Sequence, residues 1–233
     1  MNERVLIFAA HPDDEILGCG GTIAYHRSKG DAVGVCYLSE GVSSRFDRAK
    51  QREKSLWVND MVRREDMAKS AAEILDFEIV EFLRLPNLRM EDEPLLDIVK
   101  QIIEVVKVYS PTIVYVNFQG DLNTDHRVTF DSVYTALRPS AVHQVKRLLC
   151  YETLSSTEWA PSISRPMFTP DTFIDISEYL DVKVAALAAY SEEMRPAPHS
   201  RSIEAVKALA TYRGSQVGFL LSEAFVTVRN LLS

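Results

Sequence analysis

The sequence predicts an α/β fold: a mostly parallel sheet with helices on both faces. Three observations carry this. Apolar runs of strand length alternate with longer amphipathic stretches along nearly the whole chain. The runs, such as residues 5–9 and 113–116, are apolar at consecutive positions, as strands buried on both faces are. Polar turns follow the strands, the first being the dense group His11-Pro12-Asp13-Asp14-Glu15.

Taken in order, residues 5–9 form the first strand, and Pro12 ends it because proline cannot donate to a ladder. Asp13 and Asp14 then stand where a helix N-terminus wants acceptors, before a helix over 16–28. Gly18, Gly20 and Gly21 each lower helix propensity by ~1 kcal/mol relative to alanine. They predict a close approach of this helix to the sheet. Residues 32–38 read as a second strand ending at Ser39-Glu40-Gly41, and 42–60 as a polar loop with room for a short helix. A helix over 62–75, a strand over 78–83, a helix over 94–109 and a strand over 112–116 continue the alternation. The segment 118–126 is a polar loop beyond a strand end, as the first turn is. A helix over 125–137 and a strand over 145–151 follow, then an irregular, proline-containing stretch at 152–170. The chain closes with a strand over 172–176, helices over 177–191 and 202–213, and a strand or short helix over 224–232. Internal repeats and linker-like tracts are absent, which predicts one domain over residues 1–233.

With 233 residues, 46% hydrophobic and 25% charged, the chain has the composition of an ordinary globular protein with a sizeable core. A net charge of -7 argues against a general nucleic-acid binder. Apolar runs stay short of the ~20 residues needed to span a bilayer. Met1-Asn2-Glu3-Arg4 does not read as a signal peptide. Cys19, Cys36 and Cys150 lack a pairing pattern and read as reduced core thiols. The expected location is cytoplasmic.

The chemistry lies in the two polar turns. His11 and Asp14 offer imidazole and carboxylate from one tight turn, ligands that suit zinc and also iron or manganese. A third ligand is needed, and His126, after the strand at 113–116, is the best candidate because a doubly wound sheet brings both strand ends to one edge. A His-Asp-His set leaves a coordination position for water, as catalytic sites do. Asp13 is then available as a base, and Asp125 to orient a ligand or balance charge. The plainer alternatives are helix capping for Asp13 or Asp14 alone, and a surface or satisfied core position for lone histidines such as His26 and His143. Capping alone does not account for the two clusters together.

These residues carry a family resemblance. Ala10-His11-Pro12-Asp13-Asp14-Glu15, followed by Gly18, Gly20, Gly21 and Thr22, resembles the opening signature of the PIG-L (LmbE-like) zinc-dependent N-deacetylases. Asn123-Thr124-Asp125-His126 is similar to their second motif. Tyr212-Arg213-Gly214-Ser215-Gln216-Val217-Gly218 and Ser222-Glu223-Ala224-Phe225 are similar to C-terminal segments of bacterial members, so the resemblance covers essentially the whole chain. It implies a Rossmann-like sheet, a zinc held by His11, Asp14 and His126, and Asp13 as general base. The implied substrate is a small N-acetylated sugar, an N-acetylglucosamine unit on a lipid, thiol precursor, nucleotide or glycan. A homo-oligomer is compatible with the resemblance.

One position departs from the pattern. Many members carry a histidine, credited with oxyanion stabilisation, where this chain has Asn123, which can donate a neutral hydrogen bond but supplies no charge. His199 and Tyr190 are conceivable stand-ins, with surface roles as the alternative. Arg64 and Arg213 are candidate anchors for a sugar hydroxyl, phosphate or carboxylate; for Arg64 an ion pair with Glu65 competes. Glu15 is most simply a first-turn residue favoured by the helix dipole, standing behind the ligands. Specificity is expected from 43–60 and 152–170, where Glu158 and Trp159 line either a sugar pocket or an interface. The rival readings are an amidase acting on a thiol-sugar conjugate, and a non-catalytic sugar- or nucleotide-binding module. The latter is disfavoured because Gly-x-Gly-x-x-Gly does not follow the first strand.

Overall fold

Strand β1 (Arg4–Ala9) is the hub of a seven-stranded sheet in the computed structural model, which describes residues 2–51, 53–139 and 145–232. Its neighbours are β2 (Ala32–Ser39) on one side and β4 (Ile113–Asn117) on the other, both parallel to it. The full order is β3-β2-β1-β4-β5-β7-β6, with β3 at Glu78–Leu85, β5 at Arg147–Tyr151, β6 at Thr172–Asp175 and β7 at Ser222–Asn230. The first five of these positions are parallel; β7 runs antiparallel to both β5 and β6. The expected parallel α/β sheet is therefore present, closed by an antiparallel edge. The tail proves to be a strand that begins at Ser222, two residues earlier than its pattern suggests.

Alternate side chains of β1 feed two cores. Val5, Ile7 and Ala9 pack with α1 (Asp14–Ser28), α3 (Val58–Leu75), α6 (Leu180–Ala189) and α7 (Ile203–Ser215). Leu6 and Phe8 pack with α4 (Leu95–Tyr109) and α5 (Thr124–Ala136) on the other face. Each face is thus covered, as fully apolar strands require. The 42–60 stretch holds two short 3-10 turns and one four-residue helix, α2 (Arg48–Gln51), and α3 begins at Val58, earlier than expected. Cys19, Cys36 and Cys150 are all free and buried. Among the described residues no helix is long and apolar enough to cross a membrane.

Chain connections leave β1 toward β2 and leave β4 toward β5, in opposite directions along the sheet. The carboxyl ends of β1 and β4 therefore flank a topological switch point, where open α/β sheets leave a crevice. Helix α1 starts there and runs back along the sheet. A side chain at Gly18 would put its Cβ 2.2 Å from the Tyr151 ring, so the close approach inferred from the glycines is real. Farther along α1 the buried Lys183–Glu223 pair (2.6 Å) is wedged against the helix. Lys183 Nζ donates to the Leu17 carbonyl (2.8 Å), while Gly21 N and Thr22 N donate to the Glu223 carboxylate (2.9 and 2.7 Å). Leu17 O and Gly21 N are the groups an uninterrupted helix joins to each other; here each has an ionic partner.

His26 lies in the core, its Nδ1 2.7 Å from Asp31 Oδ2 and its Nε2 3.0 Å from the Tyr115 hydroxyl. Of the two alternatives, surface or satisfied core, His26 takes the second. His143 lies outside the described residues.

Candidate active site

Where β1 ends, Ala10 N donates to Asn117 Oδ1 (2.9 Å), tying the ends of β1 and β4 together. His11 follows directly, Asp14 is the first residue of α1, and His126 lies in the first turn of α5. All three are buried, and one potential ligand atom from each lies within 4.8 Å of the others. His11 Nδ1 is 3.4 Å and His126 Nε2 3.2 Å from Asp14 Oδ2. The opposite ring nitrogens are held from outside. Asp125 Oδ2 lies 2.9 Å from His11 Nε2, and Asp121 Oδ2 lies 2.7 Å from His126 Nδ1. Asp125 is itself fixed by the Leu88 and Met90 amides (2.7 and 3.3 Å). Carboxylates behind imidazoles orient ring and tautomer so that the inner nitrogens point at one place.

Among the described residues, Asp14 Oδ1 and His126 Nε2 are buried without hydrogen-bond partners. Buried polar atoms are normally paired, and His126 Nε2 lies 3.2 Å from Asp14 Oδ2 with no hydrogen bond formed. Electrostatics agree. Burial opposes charge on His11, but the Asp125 and Asp14 carboxylates outweigh it and raise its pKa to about 10. Burial likewise opposes charge on His126, and Asp14 and Asp121 raise it to about 9. Burial would lift Asp14, yet the two imidazoles hold it well below the usual carboxylate range. A place that favours positive charge this strongly, lined by two imidazoles and a carboxylate, fits a divalent cation.

Asp13, one residue away, has different surroundings. It occupies the N-cap position of α1, but its side chain makes no capping hydrogen bond. Its φ of 132° lies in a region that strains any residue other than glycine. The carboxylate is 2% exposed, so its contacts decide its behaviour. Oδ2 takes Arg201 Nη1 (2.6 Å) and Arg64 Nη2 (3.1 Å), and Oδ1 has no hydrogen-bond partner among the described residues. Arg64 is paired in turn with Glu193 and lies over the Tyr190 ring, 5.6 Å from its centroid. Glu193 also binds Arg45 (2.5 Å). Asp14 is no cap either, since its Oδ2 accepts from His11 N and Asn117 Nδ2 (3.0 and 3.2 Å).

Several expectations change. Glu15 is a fully buried first-turn residue of α1. It accepts from Tyr190 OH (2.6 Å) and from Asp13 N (3.0 Å), so it fixes the strained backbone, and burial pushes it up to about 7. Arg64 does not pair with Glu65, which binds Arg84 instead (2.6 Å). Arg213 makes a forked pair with Glu152 (2.7 Å at each nitrogen), and neither Asp13 nor the cluster is among its partners. Tyr190 directs its hydroxyl to Glu15. Asn123 Oδ1 caps α5 by accepting from Asp125 N (2.9 Å), and its amide nitrogen makes no hydrogen bond among the described residues. His199 Nδ1 accepts from Arg201 N (3.0 Å), with its ring 5.5 Å from half-exposed Trp159. Arg201 Nε donates to Ser155 Oγ (2.7 Å). Residues 155–159 and 199–201 thus form one rim beside Asp13.

Asp121, Glu193 and Arg201 are absent from the sequence reading. Asp121 had a local signal, five residues before His126 in the same polar loop. Arg201 and Glu193 had none, because they reach the site from the connection between α6 and α7.

Residues 6–137, more than half of the chain, match the family described as PIG-L, GlcNAc-PI de-N-acetylase. The chain belongs to this family. A Bacillus subtilis (strain 168) relative, a probable N-acetyl-alpha-D-glucosaminyl L-malate deacetylase 2, is 28% identical over 196 residues, covering 82% of this chain and 83% of the relative. The N,N'-diacetylchitobiose deacetylase of Pyrococcus horikoshii superposes with a TM-score of 0.72 at 17% identity, covering 97% of this chain and 84% of that one. GalB, a 4-carboxy-2-hydroxymuconate hydratase from Pseudomonas putida KT2440, superposes equally well (TM-score 0.72, 21% identity, 98% and 97% covered). These structures share the PIG-L fold, and since a hydratase shares it too, the reaction must be argued from the site.

Proposed function

We propose that this chain is a metal-dependent hydrolase that removes the acetyl group from an N-acetylated amino sugar. Two supports converge: membership of a de-N-acetylase family, and a B. subtilis relative named for an N-acetylglucosaminyl conjugate. The observation that carries the reading is the buried His11, Asp14 and His126 group, one potential ligand atom from each lying within 4.8 Å of the others, next in sequence to Asp13, whose Oδ1 has no hydrogen-bond partner among the described residues.

His11, Asp14 and His126 would hold the cation, zinc first and Fe2+ or Mn2+ as alternatives. When bound, such an ion polarises a carbonyl oxygen and lowers the pKa of water to about 7. Asp13 does the proton work. Oδ2 is anchored by Arg201 and Arg64, so Oδ1 is the atom that accepts a proton from the attacking water. As the tetrahedral intermediate collapses, the same oxygen returns that proton to the departing amine nitrogen, and acetate is released. Asn123 has its amide nitrogen free to donate to the developing oxyanion, a neutral donor in place of a charged one. Arg64, buried between Asp13 and Glu193, acts by holding the base rather than by reaching substrate. Asp125 and Glu15 position, respectively, His11 and the Asp13 backbone. Arg213 is given no part in catalysis.

The test is amine release from N-acetylglucosamine conjugates by cation-loaded protein, together with Asp13→Asn. The substitution should lower kcat by about a thousandfold or more, within the range that general acid-base catalysis supplies at two steps, while bound metal stays equimolar. Full activity in Asp13→Asn would overturn the assignment of the base. No amine from any N-acetyl sugar would overturn the reaction.

A further inference from the structure

We propose that Arg127 and Arg165 form an anion subsite next to the catalytic cluster, which takes a phosphate or carboxylate carried by the non-sugar part of the substrate. The inference rests on the deacetylase reading above and names the substrate class more narrowly.

The two guanidiniums converge on one short piece of backbone. Arg127 Nη1 donates to the carbonyls of Asp121 (2.7 Å) and Leu122 (2.6 Å). Arg165 Nη1 donates to the same Asp121 carbonyl (2.5 Å) and approaches that of Leu122 (3.5 Å). Both are half-buried. Arg165 is brought there by close packing, since a Cβ on Gly120 would lie 2.3 Å from the Pro166 carbonyl. Two cations sharing one carbonyl oxygen repel each other.

Other arginines of this protein show what such a group normally holds. Arg213 offers its Nε and Nη2 to both oxygens of Glu152, and Arg84 offers the same edge to Glu65. Arg89 does so to one oxygen of Asp92. At Arg127 and Arg165 that forked edge makes no hydrogen bond, and neither side chain forms an ion pair, among the described residues. The fork matches a planar carboxylate or a phosphate edge. The subsite is adjacent to the chemistry, because Asp121 carries both ends of the connection: its carbonyl takes the guanidiniums and its Oδ2 holds His126 Nδ1.

The experiment compares three N-acetylglucosamine substrates with the cation-loaded enzyme: a neutral methyl glycoside, the 1-phosphate and a carboxylate-bearing glycoside. One or both charged substrates should exceed the neutral one in kcat/KM by about ten- to a hundredfold, mainly through KM. Which of them gains separates phosphate from carboxylate. Arg165→Met should bring that ratio close to one, and Arg165→Lys should retain part of it. Equal kcat/KM for charged and neutral substrates in the unmodified enzyme overturns the subsite. So does an Arg165→Met enzyme that loses rate on all three in proportion, which would make the pair a support for the Asp121 carbonyl alone. If no substrate releases amine, it is the reaction that has failed. Calorimetric titration of inorganic phosphate then decides the subsite, with heat that disappears in Arg165→Met supporting it and no heat in the unmodified protein overturning it.

Discussion

Two buried histidine-aspartate pairs in this protein have the same separation in sequence and the same contact in space. His26 and Asp31 are five residues apart and meet at 2.7 Å; His126 and Asp121 are five apart and meet at 2.7 Å. The difference is at the other ring nitrogen. His26 Nε2 faces the Tyr115 hydroxyl, whereas His126 Nε2 has no hydrogen-bond partner and faces Asp14. Burial leaves His26 below its ordinary pKa, while Asp14 and Asp121 overcome burial and lift His126 to about 9. A buried His-Asp pair is therefore not in itself a mark of function. What sets His126 apart is that its second nitrogen faces a carboxylate instead of a hydroxyl.

The largest expected effect tests that statement directly. His126→Ala should abolish stoichiometric cation uptake, read by metal analysis of the purified protein, whereas His26→Ala should leave uptake intact. His26→Ala should instead destabilise the fold by about 1–3 kcal/mol in urea denaturation, because Asp31 and Tyr115 lose a buried partner. Cation binding lost in both variants would erase the distinction. Next in size are the two aspartates. Asp121→Asn should weaken cation affinity about ten- to a hundredfold by disturbing the orientation of His126. Asp31→Asn should leave affinity where it was, with chelator competition as the measurement.

The smallest effect is a pH dependence belonging to the core pair. The folded chain keeps His26 neutral at a pH where the unfolded chain has already taken up a proton. Where the unfolded state binds more protons, stability rises with pH. The contribution is thus complete above the unfolded value of about 6.5, and falls as pH drops from there toward the depressed folded value. Urea midpoints between about pH 5 and 8 should show this slope, and His26→Gln should flatten it. A slope unchanged in His26→Gln would assign it elsewhere.

Strand and helix alternation was legible in the sequence because β1, β2 and β4 are apolar at consecutive central positions while α4 has one apolar stripe, and those patterns follow from burial. The His11, Asp14 and His126 group that could hold a metal was legible because His11 and Asp14 share one turn and His126 ends a second, equivalent loop. Glu15 was legible as a first-turn residue behind the ligand cluster, but its partner Tyr190, 175 residues away, was not. The pairing of Asp13 with Arg201 was beyond reach, as it joins positions 188 residues apart through an irregular connection with no periodicity. Local chemistry is written in local sequence, and the surroundings that tune it come from wherever the fold brings them.

The wedge of Lys183 and Glu223 in α1 ties the first helix of the chain to its last strand. Until β7 docks, the Gly21 and Thr22 amides lack the carboxylate that covers them in the finished protein. Their hydrogens should then exchange with solvent at the rate of whole-molecule opening, later than helix position alone suggests. The helix that begins at Asp14 is finished by the strand that carries Glu223.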